Sequence, residues 1–214
     1  MIDNDFLGLH PCLSTVKDEI SRRISDSFRF EHTLAVNDEC LLLADIFGLS
    51  DKEKTQLSLA ALLHDVAKGL SIDEFRALDE KYRIGFTDDD FVSPAVLHAK
   101  AGAKIAEYEF SEYTDRDICK AIREHTTGDE NMSLISKLLF ISDYIEPTRR
   151  WEICQRTREA FHRELKAPGA DIFRVLDISI IKILDQTSAH LEESGRAVHP
   201  DLFKCKDFIL KTIE

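Results

Sequence analysis

Between Leu57 and Ser71 the chain reads LSLAALLHDVAKGLS, an apolar helical run that sets a histidine directly against an aspartate. The positions three and four residues before His64 are Ala61 and Ala60, and those before Asp65 are Leu62 and Ala61. Both polar side chains therefore leave the helix among apolar neighbours. An ionised carboxylate in such surroundings needs a partner or a cation, because burying it alone is prohibitive. The pair by itself admits a purely structural reading, either a His–Asp hydrogen bond closing the core or a salt bridge to Lys68. The rest of the chain decides between these readings.

The same anomaly recurs along the chain. His32 lies on the stripe Val36, Cys40, Leu43 and Phe47, and His98 shares a face with Ala101, Gly102 and Ile105. His125 closes the stripe Ile118, Ala121 and Ile122, and Asp143 stands above Leu139 and Phe140. Each such group would cost about 1–3 kcal/mol if buried unpaired. A shared metal ion relieves all six at once. Imidazole and carboxylate together, without a thiolate, suit iron, manganese, zinc or cobalt rather than a closed structural zinc site.

The remaining pattern predicts an all-α fold. A helix from Phe30 to Phe47 ends at Gly48, and the capping boxes Ser50-x-x-Glu53 and Ser71-x-x-Glu74 start others. Ser93 and Pro94 read as N-cap and first turn of a helix reaching about Tyr108. Further helices are expected over 115–124, 133–144 (halted by Pro147), 151–165 and 171–191. The last contains DIFRVLDISIIKIL, apolar nearly all round, so a buried helix is expected. Lys81–Asp90, with its Thr87-Asp88-Asp89-Asp90 cluster, reads as a solvated loop. With no repeat, linker or low-complexity tract, the 214 residues are expected to form one domain, 1–214. Its metal-site core is expected at about 16–150, with C-terminal helices at about 151–214 packed on it.

Charge and cysteine usage narrow the function. A net charge of −12 repels a nucleic-acid backbone, so no polymeric nucleic acid is expected as a partner. An anionic substrate would then need local positive charge from a metal or a few placed cations. No apolar run approaches the roughly 20 residues of a membrane span. The opening MIDNDFLGLHP has neither basic nor apolar leader character. The 5 cysteines are scattered without a CxxC pair, which suits packing roles in a reducing cytoplasm. His10, His162 and His190 read as surface or packing residues, and Trp151, a lone aromatic after a turn, as core.

The order His32, His64-Asp65, Asp143 resembles the H…HD…D pattern of the HD superfamily of metal-dependent phosphohydrolases. The segments RFEHTLAV, LLHDVAKG, LHAKAGAKIAEY, AIREHTTG and ISDYIEPTRR, with SGRAVHPDLF near the end, resemble the YqeK-type symmetrical diadenosine tetraphosphate hydrolases. The likeness runs from about Val16 to Leu210. It implies an all-helical HD domain whose divalent metal, usually iron, is held by His32, His64, Asp65 and Asp143. It also implies a small-molecule dinucleoside polyphosphate, cut into two ADP, with Arg29, His32, Asp65, His98, His125, Thr126 and Arg149 around the nucleotide. An oligomer is compatible with it.

Within that frame His98 and His125 either complete a second metal site bridged by Asp65 or donate to phosphate oxygens. Asp65 would orient the attacking water, and Lys68 would contact phosphate or else simply pair with Asp65. Arg29 and Arg149 suit phosphate, Arg149 as a bidentate clamp. Gly195 and His199, in the segment after 191, read as nucleoside contacts or as a plain loop. Two competing readings share the same ligands: another HD enzyme, a nucleotidase or cyclic-nucleotide phosphodiesterase, and an inert nucleotide-binding regulator.

Overall fold

A computed structural model describes residues 10–213. The reading of the first residues as lacking a leader lies, for 1–9, outside the described residues. Eleven α-helices and no strand occur among the described residues. They are α1 (Pro11–Arg23), α2 (Ser27–Ile46), α3 (Asp51–Leu63), α4 (Ile72–Tyr82), α5 (Asp88–Val92), α6 (Leu97–Glu109), α7 (Arg116–Glu124), α8 (Leu134–Ile145), α9 (Glu152–Leu165), α10 (Ile172–Glu193) and α11 (Pro200–Ile213). The fold is all-α, and no helix is long and apolar enough to cross a membrane among these residues.

The hub is α3, which packs against α1, α2, α7 and α8. Its residues from Gln56 to Leu63 are all buried, so beyond its first turn and a half it has no solvent face and little amphipathic character. Around it, α2 packs on α8, and α6 on α7, so that both pairs close over the end of α3 where His64 lies. The C-terminal helices α9 and α10 cover α8, and α11 packs on α10. Both capping boxes form: the Ser50 and Ser71 hydroxyls accept the Glu53 and Glu74 N–H groups, and the glutamates accept in return.

Several expectations are corrected. The apolar run is not one continuous helix, since α3 stops at Leu63 and the chain turns through 64–69. His64 and Asp65 therefore sit at a helix end rather than in its middle. The supposed solvated loop contains α5, with a complete capping box between Thr87 and Asp90, and Asp90 is fully buried. Ser93 does not cap a helix; Pro94–Val96 forms a 3₁₀ turn before α6, and the Ser93 hydroxyl donates to the Ala197 carbonyl. α10 buries one face only, through Leu176, Ser179, Ile180, Ile183 and Leu184, while Phe173 is exposed. Trp151 is not core either; it is 67% exposed. α1 and α11 carry buried Leu13, Val16 and Ile20, and Leu202, Cys205 and Ile209, at helical spacing that the sequence reading passed over.

Candidate metal centre

Five helices deliver the inward polar groups. His32 is mid-helix on α2, His64 is the C-cap of α3, and Asp65 follows it in the turn. His98 stands in the first turn of α6, His125 is the C-cap of α7, and Asp143 lies in the last turn of α8. The approach is close where α6 passes the turn: a Cβ on Gly102 would lie 3.3 Å from the His64 carbonyl oxygen. A side chain at that position would push His98 away from His64.

The imidazoles are oriented before any ligand enters. His64, His98 and His125 each turn Nδ1 to the carbonyl three residues back, Ala61 at 2.7 Å, Ala95 at 2.7 Å and Ile122 at 2.6 Å. Each Nδ1 therefore donates, which leaves each Nε2 lone pair pointing inward. His32 is held differently, its Nδ1 3.1 Å from the buried Glu146 carboxylate. The Nε2 atoms of His32 and His64 and the Oδ1 of Asp65 are buried with no hydrogen-bond partner.

These atoms converge. Asp143 Oδ1 is 3.0 Å from His32 Nε2 and 3.8 Å from His64 Nε2. Asp65 Oδ2 is 3.8 Å from His32 Nε2 and 3.6 Å from His64 Nε2. Two donor sets thus lie within metal-binding reach: His32, His64 and Asp143, and His64, Asp65 and His125. The other oxygen of Asp65, Oδ1, faces His98 Nε2 at 3.3 Å and His125 Nε2 at 3.9 Å. The Nε2 atoms of His98 and His125 are only 3.0 Å apart. With both Nδ1–H groups committed, two lone pairs meet there, and only a shared proton or a cation can sit between them. The donor set, four imidazole nitrogens and two carboxylates around orphaned atoms, fits a divalent metal.

Titration behaviour follows from burial and these neighbours. Burial drives His64 down, and it drives His125 down to about 3, with His98 and His64 adding to the effect. Burial also opposes charge on His32, yet the adjoining Asp143 and Glu146 carboxylates outweigh this and raise it to about 9. Asp65 pays for burial too, but His64, His98 and Lys68 hold it well below the usual carboxylate range. Arg149 and His32 do the same for Asp143. Both carboxylates are thus ionised and His125 is neutral, the forms that bind metal, whereas His32 carries a proton that a cation must displace.

The cationic residues ring this cluster. Lys68 donates to Asp65 Oδ2 at 2.9 Å. Arg29 donates to the Lys68 carbonyl, in space that a Cβ on Gly69 would fill. Arg149 folds back on Asp143, donating to its Oδ1 at 2.7 Å and its carbonyl at 2.6 Å, rather than reaching outward as a free clamp. The Thr126 hydroxyl stands 3.2 Å from His125 Nε2.

Two cavities open beside the cluster, one of about 500 Å³ on the His32 side and one of about 330 Å³ on the His98 and His125 side. Gly195 and His199 line neither. Gly195 occupies a left-handed turn after α10, and His199 is buried 3.3 Å from Asp90 Oδ1.

Sequence reasoning missed Glu146. Its carboxylate accepts from His32 and from the Thr148 hydroxyl at 2.8 Å, orienting the one imidazole that has no carbonyl behind it. A signal existed: in ISDYIEP, Glu146 follows Asp143 by three residues and stands before Pro147, where the helix must end.

A family profile described as the HD domain matches residues 29–148. The chain is 33% identical over 173 residues to a protein of Halalkalibacterium halodurans named bis(5'-nucleosyl)-tetraphosphatase, symmetrical, covering 81% of this chain and 84% of that one. It is 29% identical over 193 residues to the Bacillus subtilis protein of the same name, covering 89% and 91%. Among solved structures, a predicted HD superfamily hydrolase involved in NAD metabolism from Clostridium acetobutylicum superposes with a TM-score of 0.79 at 25% identity, covering 93% of this chain and 97% of that one. Inward imidazoles and carboxylates on an all-helical scaffold, the matched profile and these relatives lead to one conclusion: the chain belongs to the HD domain family, in its group of symmetrical bis(5'-nucleosyl)-tetraphosphatases.

Proposed function

We propose that this protein is a hydrolase that cuts diadenosine tetraphosphate at its central anhydride to give two ADP, with a divalent metal held by His32, His64, Asp65 and Asp143. The observation that carries this reading is the set of inward atoms: His32 Nε2, His64 Nε2 and Asp65 Oδ1 are buried without a hydrogen-bond partner, and these side chains face one another and Asp143. The relatives named symmetrical tetraphosphatases support the substrate. Iron is the preferred metal on the family likeness, and the cluster of His98, His125 and Asp65 Oδ1 is a second cation position.

A bound transition metal supplies Lewis acidity, polarising a phosphoryl oxygen and lowering the pKa of water from about 15.7 towards about 7–9. The chain's own residues do the rest. Asp65 orients the attacking water towards an inner phosphorus. The new P–O bond forms as the bond to the leaving ADP oxygen breaks, and no protein nucleophile takes part. Lys68, Arg29 and Arg149 neutralise the polyphosphate, Arg149 by releasing Asp143. Thr126 donates to a phosphate oxygen.

The whole chain works as one HD unit, its core at about 16–150 and its C-terminal helices covering α8. Its 5 cysteines, all free thiols, suit a cytoplasmic setting.

The test is product analysis. Metal-loaded protein is incubated with diadenosine tetraphosphate and the nucleotides are separated by chromatography. ADP alone is expected. AMP plus ATP, or inertness beside rapid hydrolysis of mononucleotides, would falsify the reading.

A further inference from the structure

The two cavities beside the metal cluster meet at Lys68 and Arg149, which line both. The smaller is formed by Pro94, Ala95, His98, His125 and Thr126. The larger has His32 and Asp65 at its base, Arg29 and Arg150 on its walls, and Phe28 and Trp151 among its lining residues. A substrate with two identical halves, cut at its centre, must place one half on each side of the bond that breaks. That demand is met by two lobes joined at a pair of cations.

We infer that the larger cavity receives the second nucleoside of the dinucleotide, its base resting on Trp151 and Phe28. This rests on the hydrolase reading above. Neither ring is explained by folding. Phe28 is 81% exposed in the first turn of α2, where the helix start is secured by Asp26, which accepts the Phe28 and Arg29 N–H groups. Trp151 occupies the N-cap of α9 and its side chain makes no capping hydrogen bond, a place where Ser, Thr, Asp or Asn would serve the helix. It is 67% exposed, with the Arg149 guanidinium 5.7 Å from its ring. Two exposed aromatic rings share one cavity with Arg29, Lys68, Arg149 and Arg150 and with the ligands His32 and Asp65, an apolar part beside a cationic one. That arrangement matches a nucleoside followed by its phosphates. A protein partner would not call for cationic walls beside the metal ligands.

Trp151 is the only tryptophan in the chain, so its emission reports this lobe alone. The metal-loaded protein is titrated with a diadenosine tetraphosphate analogue carrying methylene in place of the central bridging oxygen. Calorimetry follows binding independently. Trp151 emission is expected to fall about twofold at saturation. Trp151→Ala should raise KM for diadenosine tetraphosphate about tenfold, the size of one base–aromatic stack, with kcat within about twofold. Trp151→Phe should recover most of the loss, and Phe28→Ala should give a smaller KM effect of the same kind. Calorimetric binding with unchanged emission overturns the lobe assignment, as does an unaltered KM in Trp151→Ala. Matching falls in kcat and thermal stability, with KM unmoved, also overturn it, because they mark a structural residue. Absence of calorimetric binding sinks the hydrolase reading itself, and the lobe with it.

Discussion

At the scale of single residues, four imidazoles are fixed by two devices. Three donate to a helical carbonyl behind them, and His32 relies on a carboxylate. The carbonyls cannot be removed by mutation, but Glu146 can. Glu146→Gln is expected to lower metal affinity about 10–100-fold, measured as metal retained after dialysis against graded chelator. His64→Ala removes an inward donor that both ligand sets share, and metal content and turnover should fall together. Retention of full metal content by His64→Ala would sink the assignment of the cluster.

Individual helices show how buried charge outside the site is managed. Asp90 is fully buried, yet it caps Thr87, pairs with Lys100 at 2.6 Å and faces His199 at 3.3 Å, tying α5 to α6 and to the start of α11. Removing one partner of such a group typically costs about 3–5 kcal/mol, so Asp90→Ala should lower Tm by roughly 10 °C. Burial opposes the charge on Asp90, but Lys100 and Thr87 outweigh it and bring it below the ordinary 3.8. A lowered folded pKa contributes stability that is complete above the unfolded value and lost as pH falls through the folded one. The gap in Tm between wild type and Asp90→Asn should therefore be widest above about pH 4 and shrink in stronger acid. A gap independent of pH would show that Asp90 acts by shape rather than charge.

The same element shows what the sequence could and could not say. Apolar stripes and capping boxes made the helices legible, because those signals are local. So was the inward facing of His32, His98, His125 and Asp143, each marked by neighbours three and four positions away. The cluster at 87–90 misled because three successive aspartates look solvated, while the residue that burial selects, Asp90, depends on Lys100 and His199, distant in sequence. Trp151 misled for the converse reason: isolated aromatics are usually buried, and nothing local says that this one lines a cavity. That His64 and Asp65 end α3 was hidden by the apolar run continuing to Ala67.

For the whole molecule, the cluster draws on five helices and the metal is coupled to folding. A ligand that binds only the folded state raises stability by about 4 kcal/mol at a thousandfold excess over Kd. The chelated protein is expected to melt several degrees below the metal-loaded form. The difference should grow with added metal and reverse on its return, as read by calorimetry. Equal melting temperatures at all metal concentrations would mean that the cluster is satisfied by protons alone.

His64 and His125 terminate α3 and α7, so the negative ends of two helix dipoles lie beside the same spot as Asp65 and Asp143. A divalent cation seated there would answer two carboxylates and the last carbonyls of two helices together, so it would hold the ends of α3 and α7 in place as well as the ligands themselves.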